Sequence, residues 1–231
     1  MQPLGRSWCG MQLAMAGLVV LMVGDSHMAA KDFLLSSLHS SLEEQGASVH
    51  SFGVCGSSPH DWVAVKPSVL PCGRGQRHNM EEAEIEKTDK ARVWSLDTLL
   101  NRYHPNLLVI ELGDNMAGYG QVPELPKDWI AQNVREILTP VRADHVPCVW
   151  VGPPWGTEGG PSNKTFARVK ELSDYLSSRV APCHYVDSLS FEKPGEWPTY
   201  DGEHLTVESY QVWGKDIADQ VIKYAATLHR H

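Results

Sequence analysis

The chain is short of positive charge. Its 231 residues hold 20 Lys and Arg against 28 Asp and Glu, a formal net charge of -8 at pH 7. Nucleic-acid binders neutralise phosphates with basic patches, so this balance argues against nucleic acid as a partner. No apolar run is long enough to span a bilayer, which takes about 20 residues. There is no internal repeat, heptad run or low-complexity block. Cys-x-x-Cys and His-x-x-x-His spacings are lacking too, so nothing points to structural zinc, and no metal or cofactor is expected. What is present, 42% apolar and 21% charged residues, suits a globular chain long enough for one well-packed domain.

Residues 12–23 are apolar and follow Arg6, which superficially resembles a signal peptide. The run leads straight into Gly24-Asp25-Ser26, however, and cleavage after it would remove a strand. Residues 1–16 are therefore read as a leader of uncertain status and 17–231 as the domain. Setting Cys9 aside with the leader leaves Cys55, Cys72, Cys148 and Cys183. Cys55 and Cys72 bracket a loop rich in Gly, Ser and Pro, while Cys148 and Cys183 hold similar places in successive strand candidates. Two disulfides, implying an oxidising compartment, and four buried thiols both remain open. The periplasm or the outside of the cell is the expected location.

The aliphatic run Leu18–Val23 reads as a strand buried on both faces of a parallel sheet. Apolar spacing at Phe33, Leu34, Leu38 and Leu42 places a helix over Met28–Gln45, ended by Gly46. Ala47–Phe52 is a second strand, followed by a long loop to about Asn79. Residues 80–92, dense in Glu and Lys, read as a solvated helical face with no assigned chemistry. The rest alternates: helix to Tyr103, strand Leu107–Leu112, helix Trp129–Val141, strand Cys148–Val151, helix Lys164–Val180, strand His184–Asp187 and a last helix from Thr206 to Leu228. Five strands alternating with helices predict a doubly wound α/β domain with a five-stranded parallel sheet. Glycine-bearing loops after the strands then meet at one edge of that sheet.

One of these loops carries Ser26, at a strand end and ahead of a helix whose N-terminus favours developing negative charge. Acyl transfer by a serine needs a base, a group orienting that base, and oxyanion donors. Asp201 and His204 stand three residues apart, so one turn of chain can bring the carboxylate onto imidazole Nδ1 and turn Nε2 toward Ser26. Oxyanion donors are the Ser26 N–H, the N–H of Gly56, where no Cβ obstructs approach, and the Asn115 amide. Taken singly, each of these is also an ordinary cap, turn or surface residue. Their order at successive strand ends is far less ordinary.

Together the blocks resemble the SGNH hydrolase superfamily, the GDSL-type esterases. Gly24-Asp25-Ser26-His27 resembles the nucleophile block, with His27 where leucine is more frequent. Val54-Cys55-Gly56-Ser57 resembles the oxyanion-glycine block, Gly113-Asp114-Asn115 the Gly-x-Asn-Asp block and Asp201-Gly202-Glu203-His204 the Asp-x-x-His block. Met116 stands where a second Asp is common. The resemblance spans residues 24–204 and implies a flavodoxin-like three-layer α/β/α sandwich. It also implies metal-free ester hydrolysis by Ser26, His204 and Asp201, with oxyanion donors from Ser26, Gly56 and Asn115. His27 is a conceivable second base, but its place beside Ser26 points it elsewhere. Trp62, Tyr119, Trp155 and Trp197 are expected to wall the cleft, where aromatic faces suit sugar rings. The expected substrate is a small ester or an acylated carbohydrate carrying a short acyl group such as acetyl. The rival readings are an O-acetyltransferase using the same acyl-enzyme and a catalytically silent glycan-binding domain. Oligomeric state is not legible.

Overall fold

The structure, a computed structural model, describes residues 15–228. Most of the leader expected at 1–16, with Cys9, lies outside the described residues. Met15 is fully buried in one of the two cores.

The sheet is centred on β1 (Val19–Gly24), with β2 (Ser48–Val54) on one side and β7 (Leu107–Glu111) on the other, both parallel to it. Beyond β7 lie β8 (Cys148–Val151) and β9 (His184–Val186), also parallel. These are the five strands expected from the apolar runs.

The sheet nevertheless has seven strands. On the far side of β2 it continues antiparallel through β4 (Arg74–His78) and β5 (Glu84–Glu86). A separate two-stranded ribbon joins β3 (Val69–Leu70) to β6 (Ala91–Arg92). The solvated helix expected over 80–92 is thus corrected to strand and loop, and the long loop to Asn79 contains two strands. The physical reason is visible in β4 and β5. Their residues, Arg-Gly-Gln-Arg-His and Glu-Ile-Glu, show no apolar alternation. The pair is held by hydrogen bonding to β2 and by cross-strand contacts, Arg74 Nε to Glu86 at 2.6 Å and Gln76 Nε2 to Glu84 at 2.6 Å. Such an edge hairpin leaves no hydrophobic period in the sequence.

Side chains alternate across the sheet and separate the two cores. Val20 and Met22 of β1 face α1 (Leu34–Glu43) and α5 (Val207–Leu228). Leu21 and Val23 face α2 (Leu96–Tyr103), α3 (Lys127–Ala143) and α4 (Phe166–Ser177). The result is a three-layer α/β/α sandwich. Two disulfides are formed, Cys55–Cys72 and Cys148–Cys183. Among the described residues, no helix is long and apolar enough to cross a membrane.

Candidate active site

Because β1, β2 and β7 run parallel, their C-terminal ends share one edge. Ser26 opens a 3₁₀ turn, Ser26–Met28, directly after β1. The Asp25 carboxylate caps that turn by accepting from His27 N–H at 3.0 Å. On the other side, Asp201 sits in the loop before α5. Its Oδ1 accepts from the backbone N–H groups of Glu203 (3.0 Å) and His204 (2.8 Å), which folds the Asp-x-x-His segment into a tight turn. Oδ2 then meets His204 Nδ1 at 2.7 Å, and His204 Nε2 reaches Ser26 Oγ at 2.8 Å. Burial raises the Asp201 pKa, but the bonds from His204 backbone and ring outweigh it and hold the carboxyl below its ordinary value. Three residues named from the sequence therefore stand in one hydrogen-bonded line.

Gly56 follows β2 with φ +77°, a backbone region that favours glycine. Among the described residues, neither the Ser26 N–H nor the Gly56 N–H has a protein acceptor. Asn115 follows β7 in a 3₁₀ turn, Asp114–Met116. Its Nδ2 donates to Asp25 Oδ2 (3.2 Å) and to the Ser57 carbonyl (3.1 Å), so the amide braces the Ser26 and Gly56 loops against each other.

The aromatic wall expected from the sequence requires correction. Trp62 is fully buried in the core, its indole N–H donating to Ser57 Oγ at 3.2 Å. Tyr119 is buried with its hydroxyl on Asp114, and Trp155 donates to the Leu189 carbonyl and packs edge-on against Phe166. Trp197 packs against the core under α5. These bulky rings gain more from filling the interior than from lining solvent. The cleft at Ser26 is lined by other residues, among them Phe33, Ile85 and Tyr200.

Sequence reasoning missed a buried charged cluster behind Ser26. The Asp114 carboxylate accepts from His27 Nε2 at 2.9 Å, Lys164 Nζ at 2.9 and 3.1 Å, and the Tyr119 hydroxyl at 2.5 Å. Lys164 is fully buried. Burial alone raises the Asp114 pKa, yet the Lys164 charge and the His27 bond hold this carboxyl well below its usual range. For His27, burial pushes down and the Asp114 bond and nearby carboxylates push up, with a net rise. His27 Nδ1 is taken by the Tyr210 hydroxyl at 2.6 Å, so this ring points away from Ser26. Glu111 at the end of β7 is held well above its usual value, first by burial and then by the charges of Asp25 and Asp114. Asp25, His27 and Glu111 offer polar atoms within 4.8 Å of one another. Both His27 nitrogens are already bonded to protein, to Tyr210 and to Asp114, which leaves no ring nitrogen to hold a cation there. The only sequence signal for this cluster was His27 itself, a departure from the block it resembles.

The comparisons agree with this architecture. No family model matches the chain. Protein BcsX of Komagataeibacter xylinus is 39% identical over 214 residues, covering 92% of this chain and 79% of BcsX. Among solved structures, the psychrotrophic esterase EstA from a Pseudoalteromonas species superposes with a TM-score of 0.57 at 15% identity, covering 89% of this chain and 97% of EstA. TesA gives 0.59 at 18% identity, with 90% and 99% covered. A protein described as an SGNH hydrolase from Slackia heliotrinireducens gives 0.55 at 14% identity, with 88% and 98% covered. At such identities the structures report the fold. The chain belongs to the family of Protein BcsX and has the fold of the SGNH hydrolases.

Proposed function

We propose that the chain is a serine ester hydrolase in which Ser26 is the nucleophile, His204 the base and Asp201 its orienting partner. The carrying observation is the unbroken line from Asp201 Oδ2 through His204 to Ser26 Oγ, at 2.7 and 2.8 Å. Ser26 Oγ attacks the ester carbonyl carbon while its proton passes to His204 Nε2. Asp201 keeps the Nδ1 proton in place and stabilises the imidazolium. The carbonyl oxygen gains negative charge and is received by the unpaired N–H groups of Ser26 and Gly56. Asn115, bracing both loops, adds an amide donor when it exchanges one of its two present acceptors for the oxyanion. His204 then protonates the leaving alkoxide, the ester C–O bond breaks, and an acyl-Ser26 intermediate remains. Water, activated by His204, attacks that intermediate and releases the acid. No step requires a cofactor.

The substrate expected from the sequence is a small ester or an acylated carbohydrate with a short acyl group such as acetyl. Three of the aromatics that supported it, Trp62, Tyr119 and Trp155, are engaged in packing, so the cleft itself becomes the better guide. The first test is p-nitrophenyl acetate with the native chain and Ser26→Ala. Loss of the nucleophile is expected to lower kcat by about 10⁴-fold or more, and a fluorophosphonate should label only the native chain. Equal turnover by both proteins would overturn the assignment.

A further inference from the structure

The Ser26–His204 pair opens into a cleft of about 570 Å³. That volume lies within the range, about 300–1,000 Å³, of sites that enclose a sizeable organic group. Its lining is mostly carbon. Ala29, Ala30 and Phe33 contribute from the segment leading into α1, Ile85 and Thr88 from the hairpin side, and Tyr200 from the mouth. Phe33 is fixed in place, stacked on Tyr210 with ring centroids 4.1 Å apart and on the His204 imidazole at 6.0 Å. Tyr200 is 62% exposed.

Ile85 owes its position to the edge hairpin. Along β5 the side chains alternate, and Glu84 and Glu86 are engaged by Gln76 and Arg74. Ile85 therefore points to the opposite face of the sheet, the one covered by α1. Its cross-strand neighbour is Gly75. A Cβ at Gly75 would run into Ile85 Cδ1 and Leu35 Cδ2, so glycine is what lets the isoleucine lie across β4 toward α1. Of the charged side chains in the lining, Glu86 is paired with Arg74 and Asp201 with His204, and Lys87 adds an ammonium group. Carbon nevertheless outweighs polar surface across the lining as a whole, which favours an apolar group over a hydroxylated ring.

We propose that this cleft holds an apolar arm of the ester, an alkyl or aryl group larger than methyl, with Ile85 and Phe33 as its walls and Ile85 limiting its length. The inference rests on the ester-hydrolase reading of Ser26. The arm belongs either to the acyl half or to the alcohol half, and both present the same chemistry to the walls.

Two substrate series separate these sources. One is p-nitrophenyl esters of acids with two, four, six and eight carbons. The other is acetates of methanol, butanol, hexanol and octanol, followed by acetate release. Each methylene withdrawn from water favours the bound transition state by about fourfold. In one series kcat/KM is expected to rise at least about tenfold between the short and the six-carbon member. Ile85→Asp should flatten that ratio, and Ile85→Trp should move the optimum to a shorter arm. A ratio within one preparation does not depend on the fraction folded, so partial misfolding of a variant does not blur the result. A flat or falling profile in both series, with turnover still abolished by Ser26→Ala, overturns the apolar arm and leaves the hydrolase. A rising profile that neither Ile85 variant alters overturns the role of Ile85. Absence of turnover together with an unlabelled Ser26 removes the hydrolase reading, and this inference with it.

Discussion

Glu203 stands between the two charged systems of the site. It is the residue before His204, and it faces Asp114, Lys164, His27 and Asp25. Burial, followed by the Asp114 charge, pushes its carboxyl up to about 7 from 4.5, against the pull of Lys164 and His27. A raised carboxyl pKa means that the folded chain holds this proton more tightly than the unfolded one. Between pH 4.5 and 7 the unfolded chain has released the proton and the folded chain has not. Stability associated with Glu203 is therefore full below that window and falls as pH rises through it. Glu192, also raised to about 7 by burial, acts with the same sign, so the native chain must be compared with a variant. Glu203→Gln is expected to match the native Tm near pH 5 and exceed it by about 2–5 °C at pH 8. Thermal melts across that range check this, and parallel curves for the two proteins would contradict it.

At the level of elements, the strand–turn units carrying Ser26 and Asn115, and the turn carrying Asp201 and His204, were legible because each is local. An apolar strand, a glycine and a polar turn lie within about ten residues of one another. Lys164 was not legible: its partner Asp114 is 50 residues away, and only the packed fold brings the two together. The β4–β5 hairpin was hidden for another reason. It is stabilised by backbone pairing to β2 and by polar cross-strand contacts, neither of which imprints a period on the sequence. This hairpin is tied to the site at its base, where the Cys55 N–H donates to the Gly73 carbonyl at 3.0 Å and Cys55 is joined to Cys72. Cys55 adjoins Gly56, so the bond restrains both the proposed oxyanion donor and the cleft wall. Replacing the pair, Cys55→Ser with Cys72→Ser, should lower kcat on p-nitrophenyl acetate by about tenfold. It should also weaken discrimination between short and long esters. Native kinetics in that variant would show that the hairpin holds its place without the bond.

Across the whole molecule, the five parallel strands were legible from buried aliphatic runs, but their order in the sheet, β2-β1-β7-β8-β9, was not, because it is set by packing between distant segments. Their shared direction brings the C-terminal ends of these five strands to the edge of the sheet that carries the site and their N-terminal ends to the opposite edge. The second disulfide lies on the far edge. Cys148 opens β8, and Cys183 immediately precedes β9, the strand beside it. The two bonds thus separate by function, one at the cleft and one remote from it. The remote bond closes a segment of 35 residues, for which chain entropy in the unfolded state gives up to about 4 kcal/mol of stabilisation. Neither sulfur contacts the line from Asp201 to Ser26, so Cys148→Ser with Cys183→Ser should lower Tm by about 5–10 °C. Its kcat on p-nitrophenyl acetate at 20 °C should stay within about twofold of native. Melts and initial rates on the two double variants provide the comparison. If both pairs change turnover to the same extent, the site draws its rigidity from the whole sheet rather than from the loops at its C-terminal edge.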